Sequence, residues 1–261
     1  MKSLDYGLVS IITPSFNSSA YIEDTINSII NQTYQHWELL ITDDCSTDHT
    51  CHIIQKYVLK DNRIKLFKTN NNSGAGICRN ISINHAKGDY IAFCDSDDRW
   101  LPEKLEKQLT FMNNENISFC YSSYYTCSEE GIINGIVKCK KKISKSKIKR
   151  NNYIGCLTSI YNCKKLGKFL MPELRKRQDW GLWIRILKEC QIAKGVQEPL
   201  AIYRLRNNSI SSNKLTLIKY NLAIYQNILN YPKGKALLYL LLVFLPSYII
   251  QKLENKINRK L

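Results

Sequence analysis

The sequence predicts an α/β fold with a mostly parallel central sheet and a helical extension at the C-terminus. Short apolar, β-branched runs alternate with segments of helical period through the first half of the 261-residue chain. The links between these segments are short and polar, as in sheets whose parallel strands are joined by crossover helices. Residues 215–261 have a different composition, which is both apolar and basic.

Four strand–helix pairs account for the first half of the chain. The predicted strands cover residues 8–13, 38–42, 63–67 and 90–94. The helices that follow them cover residues 21–31, 48–60, 76–86 and 102–114. Ser46 or Thr47 is a suitable N-cap for the second helix, Gly88 ends the third, and Pro102 suits the first position of the fourth.

The second half is less regular in pattern. Extended segments are predicted at residues 117–125, 132–142 and 200–204. Residues 178–189 have an amphipathic pattern, which predicts a helix. Trp180 and Trp183 share one face of this helix, and that spacing is at least as typical of core residues as of residues that contact a ligand.

The positive charge is concentrated in the second half. The chain has a net charge of +16, yet residues 1–137 hold 11 Lys+Arg against 17 Asp+Glu. Residues 138–261 hold 27 Lys+Arg against 5 Asp+Glu, and eight of these basic residues lie in 138–150. A solvated, mobile loop is the ordinary interpretation of such a run. The asymmetry as a whole indicates an anionic partner: a membrane surface, a phosphorylated acceptor or a nucleic acid.

The ten cysteines predict neither disulfides nor a zinc site. The sequence contains no Cys-x-x-Cys pair, and a strand-like segment begins at Leu8, which argues against a signal peptide. Cys45, His49, Cys51 and His52 lie close together, but their spacing matches no common zinc pattern. We expect reduced, mostly buried thiols in a cytosolic protein.

Polar segments follow three of the predicted strands, at residues 14–17, 43–48 and 95–98. Because ligands bind beyond the carboxyl ends of parallel strands, we expect these segments to meet at one rim of the sheet. The three carboxylates of residues 95–98 repel one another unless a cation or a polar ligand shares their charge. Alone, this cluster is equally consistent with a solvated acidic turn. On a shared rim, it predicts a site for Mg²⁺ or Mn²⁺ and a phosphorylated substrate.

Several ordered motifs resemble those of family 2 glycosyltransferases. They lie at residues 9–17, 26–34, 38–48, 76–80, 88–100 and 177–183. The resemblance covers residues 8–210 and leaves the tail beyond 215 outside it. It implies a GT-A fold, which is a Rossmann-like fold of nucleotide-diphospho-sugar transferases, and inverting transfer of the sugar.

The resemblance also implies which residues contact the nucleotide. Pro14, Phe16 and Asn17 fall where the family forms its nucleotide pocket. Asp44 falls where a carboxylate accepts a hydrogen bond from the base, commonly uracil. Arg79 falls where a guanidinium group reaches the nucleotide or its diphosphate.

Asp95 and Asp97 match the family's DxD motif. By this resemblance Asp95 faces the ribose, Asp97 holds Mn²⁺ or Mg²⁺ against the diphosphate, and Asp98 supports either role. The metal would neutralise the charge that builds up on the leaving UDP. Arg204 and Arg206 resemble a family segment that closes over the diphosphate.

Asp179 matches the family's candidate for the catalytic base. Inverting transfer needs a base that takes the proton of the acceptor hydroxyl while its oxygen attacks the anomeric carbon. The family usually has Glu-Asp at this point, whereas this chain has Gln178 followed by Asp179. If the glutamate contributes to activity in the family, this protein has a weaker transfer activity or binds its acceptor differently. A carboxylate is also favoured in the first turn of any helix, so a structural role stays open.

The C-terminal tail has the composition of an attachment surface. Its longest apolar run, 236–245, is too short to span a bilayer as a plain helix, and Pro246 interrupts it. Tyr239 and Tyr248 lie in or beside the run. The flanking cations are Lys233, Lys235, Lys252, Lys256, Arg259 and Lys260. This pattern favours an interfacial helix or re-entrant hairpin on an anionic membrane, and packing on the core or on a second subunit is the alternative.

Together these features predict a catalytic domain over residues 1–214, with a nucleotide-sugar half at 1–115 and an acceptor half at 116–214. Residues 215–261 form the membrane-associating or oligomerising tail. The expected donor is a nucleotide-sugar, commonly a UDP-sugar, and the expected acceptor is a lipid-diphosphate-linked glycan of a surface polysaccharide such as an O-antigen or capsule. The protein would be peripheral, at the cytoplasmic face of the plasma membrane.

Two other functions are consistent with parts of the sequence. A non-catalytic polyanion-binding module would explain the basic second half, but it leaves the acidic rim unexplained. Because the chain lacks the aromatic-interleaved basic motifs of RNA-binding domains, we expect no nucleic-acid partner. A nucleotidyltransferase usually has a Gly-rich phosphate loop near its first strand, and residues 14–19 contain no glycine.

Overall fold

The computed structural model describes residues 5–206 and 214–258, and it confirms the α/β fold class. The strands are β1 (Val9–Ser15), β2 (Trp37–Asp43), β3 (Ile64–Lys68), β4 (Tyr90–Phe93), β5 (Arg99–Trp100), β6 (Phe119–Cys127), β7 (Ile133–Val137), β8 (Lys142–Ser144), β9 (Ile160–Asn162) and β10 (Ile192–Arg204). The helices are α1 (Ile22–Ile30), α2 (Thr50–Val58), α3 (Ala75–His85), α4 (Lys104–Asn114), α5 (Lys145–Ile148), α6 (Cys163–Leu166), α7 (Gln178–Cys190), α8 (Lys214–Ala223), α9 (Lys233–Tyr239) and α10 (Leu245–Asn258).

The strands form one sheet in the order β3-β2-β1-β4-β9-β6-β10-β5, with β7 beside β6 and β8 beside β10. The neighbours β3, β2, β1 and β4 are parallel, as the alternation of strands and helices predicts. Beyond them β9 is antiparallel to both β4 and β6, while β6 and β10 are again parallel. Parallel pairing therefore dominates the half of the sheet that carries the three polar segments.

Alternate residues of the central strands enter two separate cores. Ile11 of β1 and Leu39 of β2 belong to one core, which α1 and α4 cover. Ile12 and Leu40 belong to the other, which α3, α7 and the C-terminal helices cover. Because successive side chains of a strand point to opposite faces, a strand buried on both faces has the continuous apolar sequence seen here.

Both tryptophans of α7 are core residues. Trp180 and Trp183 are fully buried. The indole ring of Trp180 packs on Tyr225 and Phe244 of the C-terminal region, with ring centroids 5.8 and 5.6 Å away. Trp183 packs on Phe93 at the end of β4, with ring centroids 5.5 Å apart. Of the two roles open for these residues, the structure supports the core.

The C-terminal tail differs from its prediction at Pro246, because Lys233–Glu254 is one continuous helix. A π-helical segment, Leu240–Phe244, precedes the proline. Its wider hydrogen-bonding pattern accommodates the missing N–H of proline without a break. By length and composition this helix can cross a membrane, which the apolar run 236–245 alone cannot. The residues of its exposed apolar face are Leu237, Leu238, Leu241, Leu242, Ile249, Ile250 and Leu253.

Three local predictions are wrong. Helix α2 begins at Thr50, and its first N–H is bonded by the carboxylate of Asp48, whereas Ser46 bonds to Asp43. Pro102 lies before the first residue of α4. The predicted strand 132–142 is two strands, because β7 pairs with β6 whereas β8 crosses to β10. Arg259 and Lys260, two of the cations predicted to flank the tail, lie outside the described residues.

Lys104 is a buried and unpaired cation at the start of α4. Its side chain is fully buried and its ammonium nitrogen lies 3.7 Å from the ring centroid of Trp100. Within residues 5–206 and 214–258 this nitrogen has no hydrogen-bond partner. Burial lowers the pKa of Lys104 to about 7, because apolar surroundings disfavour the charged form.

Lys104→Met is therefore expected to stabilise the protein, most strongly below pH 7. In the unfolded chain this lysine stays protonated up to about pH 10.4. Below pH 7 the folded state therefore bears the full free-energy cost of burying the charged ammonium group. This cost decreases as the pH rises from about 7 to about 10.4. We expect the free energy of unfolding to rise by up to about 4 kcal/mol at pH 6 and by much less at pH 9.5. Urea denaturation at both pH values measures this difference. Lys56→Met, at an exposed site on α2, is the control, and an equal gain from both substitutions would contradict the assignment.

Candidate active site

The three polar segments meet at the carboxyl ends of β1, β2 and β4, as predicted. Asn17 has a left-handed φ of 45°, which asparagine tolerates. Its backbone N–H donates to Ser46 Oγ at 2.9 Å, and its side-chain Oδ1 accepts from the N–H of Thr47 at 2.9 Å. The hydroxyl groups of Ser18 and Ser96 are 2.8 Å apart. Asn17 thus joins the first segment to the second, and Ser18, the next residue along the chain, joins it to the third.

The residues expected at the nucleotide pocket differ in exposure. Pro14 is buried within β1, which extends to Ser15, rather than in the loop after it. Phe16 is 45% exposed at the end of that strand. Asp44 is buried, and its carboxylate accepts from the backbone N–H groups of Ser73 and Gly74, each at 2.7 Å. Asp44 thereby fixes the loop that leads into α3.

The acidic segment after β4 contains carboxylates of unequal exposure. The side chains of Asp95 and Asp97 are 30% and 25% exposed, whereas Asp98 is buried. Burial, followed by repulsion from Asp97 and Asp95, raises the pKa of Asp98 well above its ordinary value. Burial and the charge of Asp95 also raise the pKa of Asp97. The segment is therefore a place where added positive charge is favourable.

Three arginines from distant parts of the chain meet these aspartates. Arg79 of α3 forms an ion pair with Asp95, and Arg206 forms one with Asp97 at 3.1 Å. The backbone N–H of Arg204 donates to Asp98 at 3.0 Å. Arg204 and Arg206 thus lie beside the acidic segment. Residues 207–213, which follow them, lie outside the described residues.

The guanidinium group of Arg204 is buried by contacts with three separate segments. Its Nε donates to the backbone oxygen of Asp97 at 3.1 Å and its Nη2 to Asp24 of α1 at 2.9 Å. Its Nη1 donates to the backbone oxygen of Glu129 in the β6–β7 connection. The same group lies 4.8 Å from the ring centroid of Tyr21. Arg204 thus joins the end of β10 to α1 and to the acidic segment.

The donor set at this rim fits a hard divalent cation that is held jointly with a ligand. Among residues 5–206 and 214–258, no three His, Cys, Asp or Glu side chains are grouped to hold a metal by themselves. Mg²⁺ is usually bound through one or two carboxylates together with substrate phosphates. Asp97 and Asp95 supply such carboxylates, because both retain partial exposure.

Asp179 and the acidic segment line the same cavity. The cavity has a volume of about 620 Å³, and its lining includes Asp95, Asp98 and Asp179. Asp179 is in the first turn of α7, and its Oδ2 accepts from Asn152 Nδ2 at 2.7 Å. The neighbouring Gln178 points elsewhere, since its Oε1 accepts from Arg79 at 3.2 Å. The two neighbouring residues therefore have different hydrogen-bond partners, Arg79 for Gln178 and Asn152 for Asp179.

The sequence motifs do not identify Asn152 and its partners as residues of the candidate site. Besides binding Asp179, Asn152 accepts at its backbone oxygen from Gln251 Nε2 of α10 at 3.4 Å. Asn151 Nδ2 donates to Gln251 Oε1 at 2.6 Å. An isolated asparagine or glutamine belongs to no recognisable sequence motif. The one signal in the sequence is that these asparagines directly follow the basic run 138–150.

A parallel sheet with paired carboxylates beyond its fourth strand and a further carboxylate across a cavity define the GT-A class of transferases. The model of the family named Glycosyl transferase family 2 matches residues 10–167, so the chain belongs to this family and is a glycosyltransferase. The family, the fold and the enzyme class expected from the sequence are confirmed. This result sets aside the polyanion-binding module and the nucleotidyltransferase.

Two curated relatives align with most of the chain. TuaG of Bacillus subtilis (strain 168), a glycosyltransferase assigned to teichuronic acid biosynthesis, is 42% identical over 222 residues, covering 85% of this chain and 88% of TuaG. WfgD of Escherichia coli is named as a UDP-Glc:alpha-D-GlcNAc-diphosphoundecaprenol beta-1,3-glucosyltransferase. It is 37% identical over 248 residues, covering 95% of this chain and 94% of WfgD.

Solved structures share the fold at lower identity. S. aureus TarS 1-349 in complex with UDP-GlcNAc has a TM-score of 0.68 and 21% identity, over 89% of this chain and 70% of TarS. The mannosyltransferase PcManGT from Pyrobaculum calidifontis in complex with GDP-Man and Mn²⁺ has a TM-score of 0.67 and 15% identity, over 93% of this chain and 73% of PcManGT. At these identities the likeness shows the fold alone.

The two neighbouring arginines of the site allow a matched test of the charge network. Arg204→Ala is expected to lower the free energy of unfolding by about 3 kcal/mol, because it removes the hydrogen bonds of a buried guanidinium group to two backbone oxygens and takes away the positive charge beside the buried Asp98. Arg206→Ala removes a partly exposed ion pair and is expected to cost less than about 1 kcal/mol. Urea denaturation at neutral pH without nucleotide measures both values. Equal losses would show that Arg204 does not stabilise the fold in this way.

Proposed function

We propose that this protein is an inverting glycosyltransferase that moves a sugar from a UDP-sugar to a lipid-diphosphate-linked glycan in surface polysaccharide synthesis. The observation that carries the proposal is that Asp95 and Asp179 line one cavity. The lining of this cavity includes two aspartates of the acidic segment and a carboxylate in the first turn of a helix. This arrangement suits separate binding of a donor diphosphate and activation of an acceptor.

The donor side is assigned to the rim of the sheet. Pro14, Phe16 and Asn17 form the wall for the base, and Asp44 accepts a hydrogen bond from it. Arg79 contacts the diphosphate, while Asp95 faces the ribose. Arg79 is already oriented by two acceptors, which limits the freedom it loses when the nucleotide binds.

Asp97 and Asp95 would hold Mn²⁺ or Mg²⁺, with Asp98 beneath them. When bound, the metal supplies positive charge beside the leaving diphosphate. Arg206 is an ion-pair partner of Asp97 and lies 4.9 Å from the ring centroid of Tyr21. We assign Arg206 to the same diphosphate, since a partly exposed guanidinium group can turn from Asp97 towards a phosphate oxygen.

The acceptor side is assigned to Asp179. It takes the proton of the acceptor hydroxyl as that oxygen attacks the anomeric carbon, and the bond to the UDP oxygen breaks on the opposite side of the sugar. Asn152 holds Oδ2 of the carboxylate, so we assign proton transfer to Oδ1. The neutral Gln178 takes no part in this step.

The acceptor class rests on the relatives and on the tail. WfgD is named for a diphosphoundecaprenol-linked acceptor, and it matches this chain over 95% of its length. The exposed apolar face of Lys233–Glu254 suits attachment to the cytoplasmic face of an anionic membrane, where such a lipid is accessible. Residues 1–214 would then be the catalytic domain and residues 215–261 its membrane-associating part.

The two catalytic assignments predict different losses. Asp179→Asn is expected to lower kcat by about 10²–10⁴-fold and to keep UDP affinity, because it removes the base alone. Asp97→Asn is expected to weaken UDP binding in the presence of Mn²⁺ as well as transfer. Calorimetric titration with UDP and a radiolabelled sugar-transfer assay measure the two effects. Glu189→Gln, at an exposed site on the same helix as Asp179, is the control, and full activity of Asp179→Asn would overturn its role.

Membrane attachment predicts a second, independent result. Leu242 is 71% exposed on the apolar face of the tail, so Leu242→Glu is expected to reduce flotation with phosphatidylglycerol vesicles. Leu59→Glu places the same change at an 80% exposed site after α2 and is expected to leave flotation unchanged. If the unchanged protein stays wholly soluble with these vesicles, the membrane assignment fails.

A further inference from the structure

A second pocket lies between the basic segment and the tail helix. It has a volume of about 420 Å³ and is lined on one side by Lys140, Lys147 and Arg150, which come from the region of β8 and α5. Its other side is α10, which contributes Ile250 and Glu254. Among the described residues, Glu254 is the one carboxylate in this lining. The pocket therefore contains more positive than negative charge.

The excess of charge is not neutralised within the fold. Lys140 forms an ion pair with Glu254 at 2.8 Å. Neither Lys147 nor Arg150 forms an ion pair with any part of the chain that the structure describes. Burial and the neighbouring cations Lys140 and Arg150 lower the pKa of Lys147. An anion in this pocket would remove that repulsion, and phosphate groups suit clustered lysine and arginine side chains.

The pocket also joins two surfaces of different character. Ile250 is 57% exposed and belongs to the apolar face of the tail. Lys140, Tyr153, Gln251 and Glu254 line this pocket and also line the cavity that contains Asp179. The cations therefore lie beside both the apolar face and the cavity. An amphiphile with an anionic group between its lipid and its sugar matches this order.

We propose that this pocket binds the diphosphate group of the lipid-linked acceptor. The lipid chain lies along the exposed face of α10, the diphosphate contacts Lys147 and Arg150, and the acceptor sugar extends into the cavity towards Asp179. Lys140 is shared between Glu254 and the diphosphate. This inference rests on the proposed function, because it names the residues by which that acceptor is held.

The test compares two double substitutions in the full chain. Lys147→Gln with Arg150→Gln removes two charges from the pocket. Lys141→Gln with Lys142→Gln removes two charges from exposed positions of the same basic segment that do not line the pocket. Farnesyl diphosphate in neutral detergent micelles is the probe, and its dissociation constant is measured beside that of UDP. Melting temperatures equal to that of the unchanged protein show that each variant folds.

We expect the pocket variant to bind farnesyl diphosphate at least about tenfold more weakly, because each substitution removes a charge-assisted contact. The exposed-site variant should keep its affinity, and UDP affinity should be unchanged in both. Equal weakening in the two variants would overturn the proposal, since it would reflect net charge alone. Selective loss of flotation with phosphatidylglycerol vesicles, with farnesyl diphosphate binding intact, would also overturn it and assign the pocket to a phospholipid headgroup.

Failure of the acceptor pocket and failure of the proposed function give different results. If the unchanged protein binds UDP and transfers sugar but does not bind farnesyl diphosphate, the pocket assignment fails alone. If it neither binds UDP nor transfers sugar from any UDP-sugar, the proposed function fails, and the pocket assignment fails with it.

Discussion

The repulsion among three aspartates at the end of β4 is the constraint on which the arrangement of the site depends. Because Asp98 is buried, water cannot screen the repulsion between its carboxylate and those of its neighbours. Cationic groups from other parts of the fold lie beside the segment instead. Arg79 comes from α3, whereas Arg204 and Arg206 come from the end of β10 and the residues after it. This requirement joins the two halves of the sheet at one point, since Arg204 also contacts α1 and the β6–β7 connection.

The parts of the fold that were predictable are those encoded locally. Strands β1, β2 and β4 are short, mainly apolar runs, and β3 contains apolar residues flanked by lysines. Polar loops bound all four, and a helix of regular period follows each of them, after β5 in the case of β4. The strands of the second half pair with neighbours distant in sequence, so β8 and β10 gave no local signal of their register. The carboxylates of the candidate site could be identified from sequence motifs. The contacts of Asn151 and Asn152 with Gln251, and of Asn152 with Asp179, join residues that are distant in sequence and meet only in the folded chain.

Gln178 shows how one neutral side chain changes the charge balance around Arg79 and Asp95. Arg79 contacts Asp95 and the amide oxygen of Gln178, so one of its two side-chain partners is neutral. A glutamate at this position would compete with Asp95 for the same guanidinium group. The packing here is tight, because a Cβ atom on Gly76 would lie 2.8 Å from Cδ of Gln178. Helices α3 and α7 thus approach each other at a point where both size and charge are restricted.

The hydrogen bonds from Gln251 through Asn152 to Asp179 have a practical consequence for studies of the isolated domain. Truncation before α10 would remove Gln251 and leave Asn151 and Asn152 to find other partners. The orientation of the Asp179 carboxylate would then depend on a segment that has lost one of its anchors. A shortened, more soluble form is therefore a poor reporter of the intact protein, even when its sheet and acidic rim are unchanged.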